Sequence, residues 1–150
     1  GGEAHTGEVI PPEGDVALGS PGDAGTIDTR SAATWPDAGV LLDARAAERY
    51  RGETEPIDPV AGHIPGAKSL PIASVLTDDG RFRPESEVAA AFDAVGAEAG
   101  TPIAAYCGSG ITAAQLALAG TLAGREVSVY PGSWSAWSNT PGRPVATGEE

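Results

Sequence analysis

The chain has 150 residues, 9 basic against 21 acidic, for a formal charge of −12, and 41% of it is hydrophobic. That length accommodates one domain with a real core. The acidity argues against nucleic-acid or lipid-surface partners, and no apolar run is long enough to span a bilayer. A single cysteine, Cys107, leaves no internal disulfide and suits a reducing, cytoplasmic setting.

Residues 1 to about 30 are rich in Gly, Pro, Asp and Glu, lack periodicity, and read as a linker or extended arm ahead of a domain over residues 31–150. The chain contains no methionine and opens Gly1-Gly2, as expected of a processed chain or a fragment. Thr29 to Asp37 predicts a short helix ended near Gly39. Val40-Leu41-Leu42 predicts a buried strand ending at Asp43, with a helix from about Ala46. Asp43 is expected to cap that helix, with Arg45 paired to it. Arg49 and Arg51 fall at the helix end, where cations suit the dipole. Glu53 to Ala61 reads as a surface loop. His63 precedes a turn at Pro65-Gly66 and is expected to hold it by a backbone hydrogen bond rather than serve as a base. Ala67 to Leu70 predicts a strand, and residues 71–83 an irregular stretch. Ser86 is expected to open a helix that ends at Gly100, with Val88, Phe92, Val95 and Ala99 on its core face.

Pro102 to Tyr106 is an apolar run that predicts a buried strand, and Ile111 to Ala123 a buried helix capped by Gly124. Glu126 to Tyr130 predicts a strand toward a sheet edge. Ser133 is expected to cap a short helix whose Trp134 and Trp137 pack inward, Trp134 near the cysteine. The pattern is α/β: four or five short, mostly parallel strands with helices on both faces.

Cys107 therefore sits where a strand turns into a helix, at the carboxyl edge of the sheet, where sites occur in such folds. Gly108 and Gly110 let the loop curl with its N–H groups inward, and the helix behind adds unpaired N–H groups and a positive dipole end. A thiolate or bound anion is stabilised there, and Ser109 and Thr112 add hydroxyl donors. A buried inert cysteine has no use for two glycines. A cysteine-dependent phosphatase needs an arginine closing this loop, and that place holds Ala113. The short loop, apolar at Ile111, suits a smaller group on sulfur, such as a persulfide.

Three stretches together carry a family resemblance. Cys107-Gly108-Ser109-Gly110-Ile111-Thr112-Ala113 resembles the active-site loop of the rhodanese superfamily, in its 3-mercaptopyruvate sulfurtransferase branch. The stretches Leu42 to Arg45, Arg49 to Gly52 and Gly62 to Ala67 resemble the first rhodanese signature. Tyr130 to Trp137 resembles the closing motif of tandem-domain sulfurtransferases. The resemblance implies a rhodanese-like fold and sulfur transfer through a Cys107 persulfide, from 3-mercaptopyruvate or thiosulfate to a thiol or cyanide, without metal or organic cofactor. It implies Ser109 as a catalytic partner of Cys107, with Arg49 and the loop residues Gly108, Gly110, Ile111 and Thr112 holding the donor. Mercaptopyruvate enzymes place a second arginine where Asp58 stands here, whereas the uncharged Gly108-Ser109-Gly110 favours mercaptopyruvate over thiosulfate. The resemblance also implies that the chain is a C-terminal half, partnered by an N-terminal rhodanese domain. The alternative from another class is a catalytically silent interaction module, against which the presence of Cys107 counts.

Overall fold

The structure is a computed structural model and describes residues 25–149. Most of the arm predicted over residues 1–30 lies outside the described residues. The described part of it already joins the domain: Thr26 bridges Val129 in parallel, and the Ile27 N–H donates to the Val129 carbonyl at 2.9 Å.

Four parallel strands form one sheet in the order β2-β1-β3-β4. They are β1 (Val40–Asp43), β2 (Lys68–Ser69), β3 (Ile103–Tyr106) and β4 (Val127–Val129). Parallel neighbours need crossovers, and α2 (Ala47–Tyr50), α3 (Glu85–Asp93) and α4 (Ile111–Leu122) lie between successive strands, while α1 (Thr29–Thr34) precedes β1 and α5 (Ser133–Ser138) follows β4. Successive strand residues point to opposite faces, so the apolar β1 and β3 feed two cores at once. Leu42, Ile103, Ala105 and Cys107 join the α3–α4 side with Phe92 and Leu116. Leu41, Ala104 and Tyr106 join the other with Trp134, Trp137 and Ile64. Strands apolar on both faces are what a sheet covered on both sides requires.

Several expectations need correction. Asp43 caps no helix: α2 begins after Ala46 without a side-chain cap, and the Asp43 carboxylate turns back onto Arg45. The α3 helix begins at Glu85 behind Pro84 and ends at Asp93, because the chain turns at Gly96 rather than Gly100. Ala99 is consequently exposed, and Ala97 takes the buried place. The α4 helix is buried on one face only, through Ala113, Leu116, Ala119 and Gly120, while Leu118 and Leu122 stand half out. Ser133 is the first residue of α5, not its cap. No helix among the described residues is long and apolar enough to cross a membrane.

Candidate active site

The chain leaves β3 at Tyr106 and enters α4 at Ile111, so four residues make the whole turn. Gly110 makes it possible. Its φ of +86° is a left-handed conformation, and a Cβ there would meet the Pro131 carbonyl oxygen at 2.8 Å. In that conformation the Gly110 N–H donates to Cys107 Sγ at 3.1 Å. The sulfur is thus held by a backbone donor at the N-terminus of a twelve-residue helix, where the dipole also favours negative charge.

The loop is fixed from outside by the turn into α5. The Cys107 N–H donates to Ser133 Oγ at 3.1 Å, and that hydroxyl donates to the Tyr130 carbonyl at 2.9 Å. The Trp134 N–H donates to the Cys107 carbonyl at 2.9 Å, and the Ser135 N–H to the Gly108 carbonyl at 3.0 Å. Ser133 is fully buried and is the one non-glycine among the described residues with positive φ, at +52°. The motif Tyr130 to Trp137 therefore acts on the cysteine loop chiefly through its backbone. The sequence pattern marks the motif but not the hydroxyl bridge.

Above the sulfur lies a cavity of about 400 Å³. Cys107, Gly108, Ser109 and Thr112 line it from the loop, Arg45 and Arg49 from the segment after β1, and Ile72 from the turn after β2. Of the predicted site residues, the structure brings together Cys107, Ser109, Arg49, Gly108 and Thr112 here, with Gly110 bonded to the sulfur. Ile111 does not line this cavity; its side chain stands 78% exposed at the first turn of α4. His63 is buried elsewhere as a scaffold residue, its Nδ1–H donating to the Tyr50 carbonyl at 2.8 Å and its ring stacked 3.7 Å from that of Tyr50.

The cations are not free. Arg49 donates from Nε and Nη2 to the two oxygens of Glu55, at 3.2 and 2.5 Å, and its Nη2 lies 3.5 Å from Asp58 Oδ2. The guanidinium end lies against the loop, Nη1 3.6 Å and Nη2 3.9 Å from where a Gly108 Cβ would lie, and Nη1 is the nitrogen that Glu55 and Asp58 leave unpaired. Arg45, almost fully buried, grips Asp43, donates to the Gly62 carbonyl at 2.6 Å, and reaches Glu55 Oε2 at 3.2 Å. Burial alone would weaken its hold on the proton, but the Asp43 carboxylate reverses this and raises its pKa. Burial likewise pushes the Glu55 carboxyl up. The Arg49 hydrogen bonds and the N–H groups of Asp58 and Ile57 outweigh burial and leave it below the usual carboxylate range. Two guanidinium groups thus meet three carboxylates, a local charge of −1. Glu55 was invisible in the sequence as anything but one acid of a surface loop.

The rhodanese-like domain family matches residues 23–140, most of the chain. The chain belongs to the rhodanese-like family. SseB of Mycobacterium tuberculosis, provisionally named a thiosulfate sulfurtransferase, is 45% identical over 150 residues, covering 99% of this chain and 53% of that protein. A Pseudomonas aeruginosa protein, provisionally named a 3-mercaptopyruvate sulfurtransferase, is 51% identical over 113 residues, 73% of this chain and 39% of that protein. The chain spans about half the length of SseB and less of the other. Among solved structures, EanB, described as a complex with ergothioneine covalently linked to a persulfide cysteine, superposes with a TM-score of 0.76. It is 26% identical over 83% of this chain and 32% of its own.

Proposed function

We propose that this rhodanese-like domain transfers sulfane sulfur through a persulfide on Cys107. The observation that carries the reading is the Gly110 N–H on Cys107 Sγ, at the floor of a cavity where three loops from carboxyl strand ends converge. In the first step the Cys107 thiolate attacks the outer sulfur of the donor. With thiosulfate the S–S bond breaks and sulfite leaves with the bonding pair. With 3-mercaptopyruvate the C–S bond breaks, and the pyruvate enolate that leaves takes up a proton. The persulfide carries its charge on the added outer sulfur, beyond the Sγ that the Gly110 N–H holds, and the N-terminus of α4 favours that charge. An acceptor thiolate or cyanide then attacks the outer sulfur and returns Cys107. In this reading Ser109, exposed at the rim, hydrogen-bonds the donor or passes that proton, and Arg49 orients its anionic end; the exposure of Ser109 and the nearness of Arg49 Nη1 to Gly108 support these roles. Relatives named as sulfurtransferases and the persulfide described for EanB support this chemistry.

The half-length match and the exposed apolar Ile57 and Ile111, 75% and 78% accessible, support a second rhodanese domain closing the open side of the site. The test is sulfur transfer from thiosulfate and from 3-mercaptopyruvate to cyanide, with the chain alone and with an added N-terminal rhodanese domain. Mass spectrometry should show one sulfur atom added to Cys107. Cys107→Ser should lose at least about a thousandfold in rate, more than 4 kcal/mol of barrier, with its fold intact. Retained turnover in that variant, or no sulfur added to Cys107 by either donor, refutes the reading.

A further inference from the structure

The charges around Arg49 differ from what a simple anion-binding arginine requires. A guanidinium grips a carboxylate or an oxyanion best through two parallel N–H donors. On Arg49 the Nε–Nη2 edge is occupied by Glu55, and Nη2 also faces Asp58. The Glu55 oxygens are themselves fixed by Arg45 Nη1 and by the N–H groups of Ile57 and Asp58, so Glu55 is not released without dismantling the loop. Asp58 is different. Its side chain is 5% exposed, its Oδ2 is buried and accepts no hydrogen bond, and its nearest cation is the Arg49 group that Glu55 already neutralises. A buried carboxylate oxygen in this position adds a negative charge to the cavity wall, and its Oδ2 makes only the 3.5 Å ion pair with Arg49 and no hydrogen bond.

We propose that Asp58 is a specificity-determining residue that sets the charge of the sulfur donor. By overcompensating Arg49 it selects donors carrying one negative charge, such as a 2-oxo-3-thiol acid or a persulfide of similar charge, over the thiosulfate dianion. This rests on the sulfur-transfer reading above. Across a cavity of this kind one unit charge changes a binding constant by on the order of tenfold, and acts once more for each further charge on the donor.

The test is Asp58→Asn, which keeps the shape and the backbone N–H bonded to Glu55. The kcat/KM for thiosulfate should rise about tenfold more than that for 3-mercaptopyruvate, through KM rather than kcat. An equal change for both donors, or none, overturns the proposal. A second measurement needs no turnover: protection of Cys107 from iodoacetamide by sulfate and by pyruvate, in the native chain and the variant. The sulfate-to-pyruvate protection ratio should rise about tenfold in the variant, and an unchanged ratio overturns the proposal. If neither donor transfers sulfur to the native chain, the functional reading fails while this ratio still decides the role of Asp58. Should Asp58→Asn not fold, Asp58→Ser answers the same two measurements.

Discussion

Replacing Ser133 by glycine and, separately, by alanine tests the clamp on the cysteine loop. Both substitutions remove the hydroxyl that accepts the Cys107 N–H and donates to the Tyr130 carbonyl. Each leaves a buried N–H without its acceptor, at a cost of about 1–3 kcal/mol. The two differ in backbone strain. At a φ of +52°, alanine keeps the Cβ and with it a left-handed penalty of about 1–2 kcal/mol, which glycine avoids. Glycine gives back about 0.5–1 kcal/mol through its freer unfolded chain. The alanine variant should therefore be the less stable by about 1 kcal/mol, against the usual expectation that serine-to-alanine is the milder change. For a chain of this size that is about 2–4 °C in Tm, readable by circular dichroism. Both variants should also load sulfur onto Cys107 more slowly, with donor KM little altered, because the donor-binding side chains are untouched. Alanine melting at or above glycine would refute the strain argument, and native loading rates in both would refute the clamp.

Two further outcomes follow from the geometry. Gly110→Ala puts a Cβ 2.8 Å from the Pro131 carbonyl oxygen at a φ of +86°, so it should lose on the order of 2–3 kcal/mol, seen as a lower urea midpoint. It should also displace the N–H from Cys107 Sγ, so sulfur loading should fall with it. Glu55→Gln tests the carboxylate whose folded pKa is depressed by Arg49 and by two backbone N–H groups against the opposing push of burial. A depressed carboxylate stabilises the fold above its unfolded value of about 4.3 and loses that contribution as pH falls through the lower folded value. The native chain should thus exceed the variant in stability at pH 7, with the gap closing below about pH 4; a gap independent of pH in urea unfolding would contradict the assignment.

The parts legible in the sequence were those whose cause is local. The β3 strand and α4 are apolar runs bounded by glycine, and the glycines flanking Cys107 announce a tight turn because few other residues enter it. A His63 hydrogen bond to backbone was likewise expected, but it goes to the Tyr50 carbonyl at the end of α2 and not to the Pro65-Gly66 turn. What escaped depends on partners far along the chain or on unpatterned loop residues. Asp43 resembles a cap because it precedes a helix; its pairing with Arg45 was expected, but the guanidinium takes the carboxylate and leaves the helix uncapped. Glu55 lies six residues after Arg49 in a segment with no periodicity to place it. Ser133 has ordinary cap chemistry, but its hydroxyl is committed to a loop 26 residues away. Ala99 was assigned to a helix face that does not extend past Asp93.

The division of labour between backbone and side chains explains why the distant motif is needed. Gly110, at a φ of +86°, allows the cysteine loop to curl, and the glycines leave the loop poorly fixed by itself. The hydrogen bond from the Gly110 N–H to Cys107 Sγ closes the loop on itself but does not tie it to the rest of the domain. Restraint comes instead from Ser133, Trp134 and Ser135, which bond Cys107 and Gly108 through three hydrogen bonds. Trp134 is in turn anchored, with its indole N–H donating to the Val60 carbonyl at 2.9 Å and the Arg45 guanidinium 4.7 Å above its ring. Arg45 is locked to Asp43 at the end of β1. The carboxyl ends of β1, β3 and β4 are thereby tied together beneath the cavity, and the Arg45 and Asp43 charges in that tie offset each other. On the sulfur-transfer reading proposed above, an anion on Cys107 would be held mainly by the Gly110 N–H and the N-terminus of α4, which bring no counter-charge that a departing sulfur would have to escape.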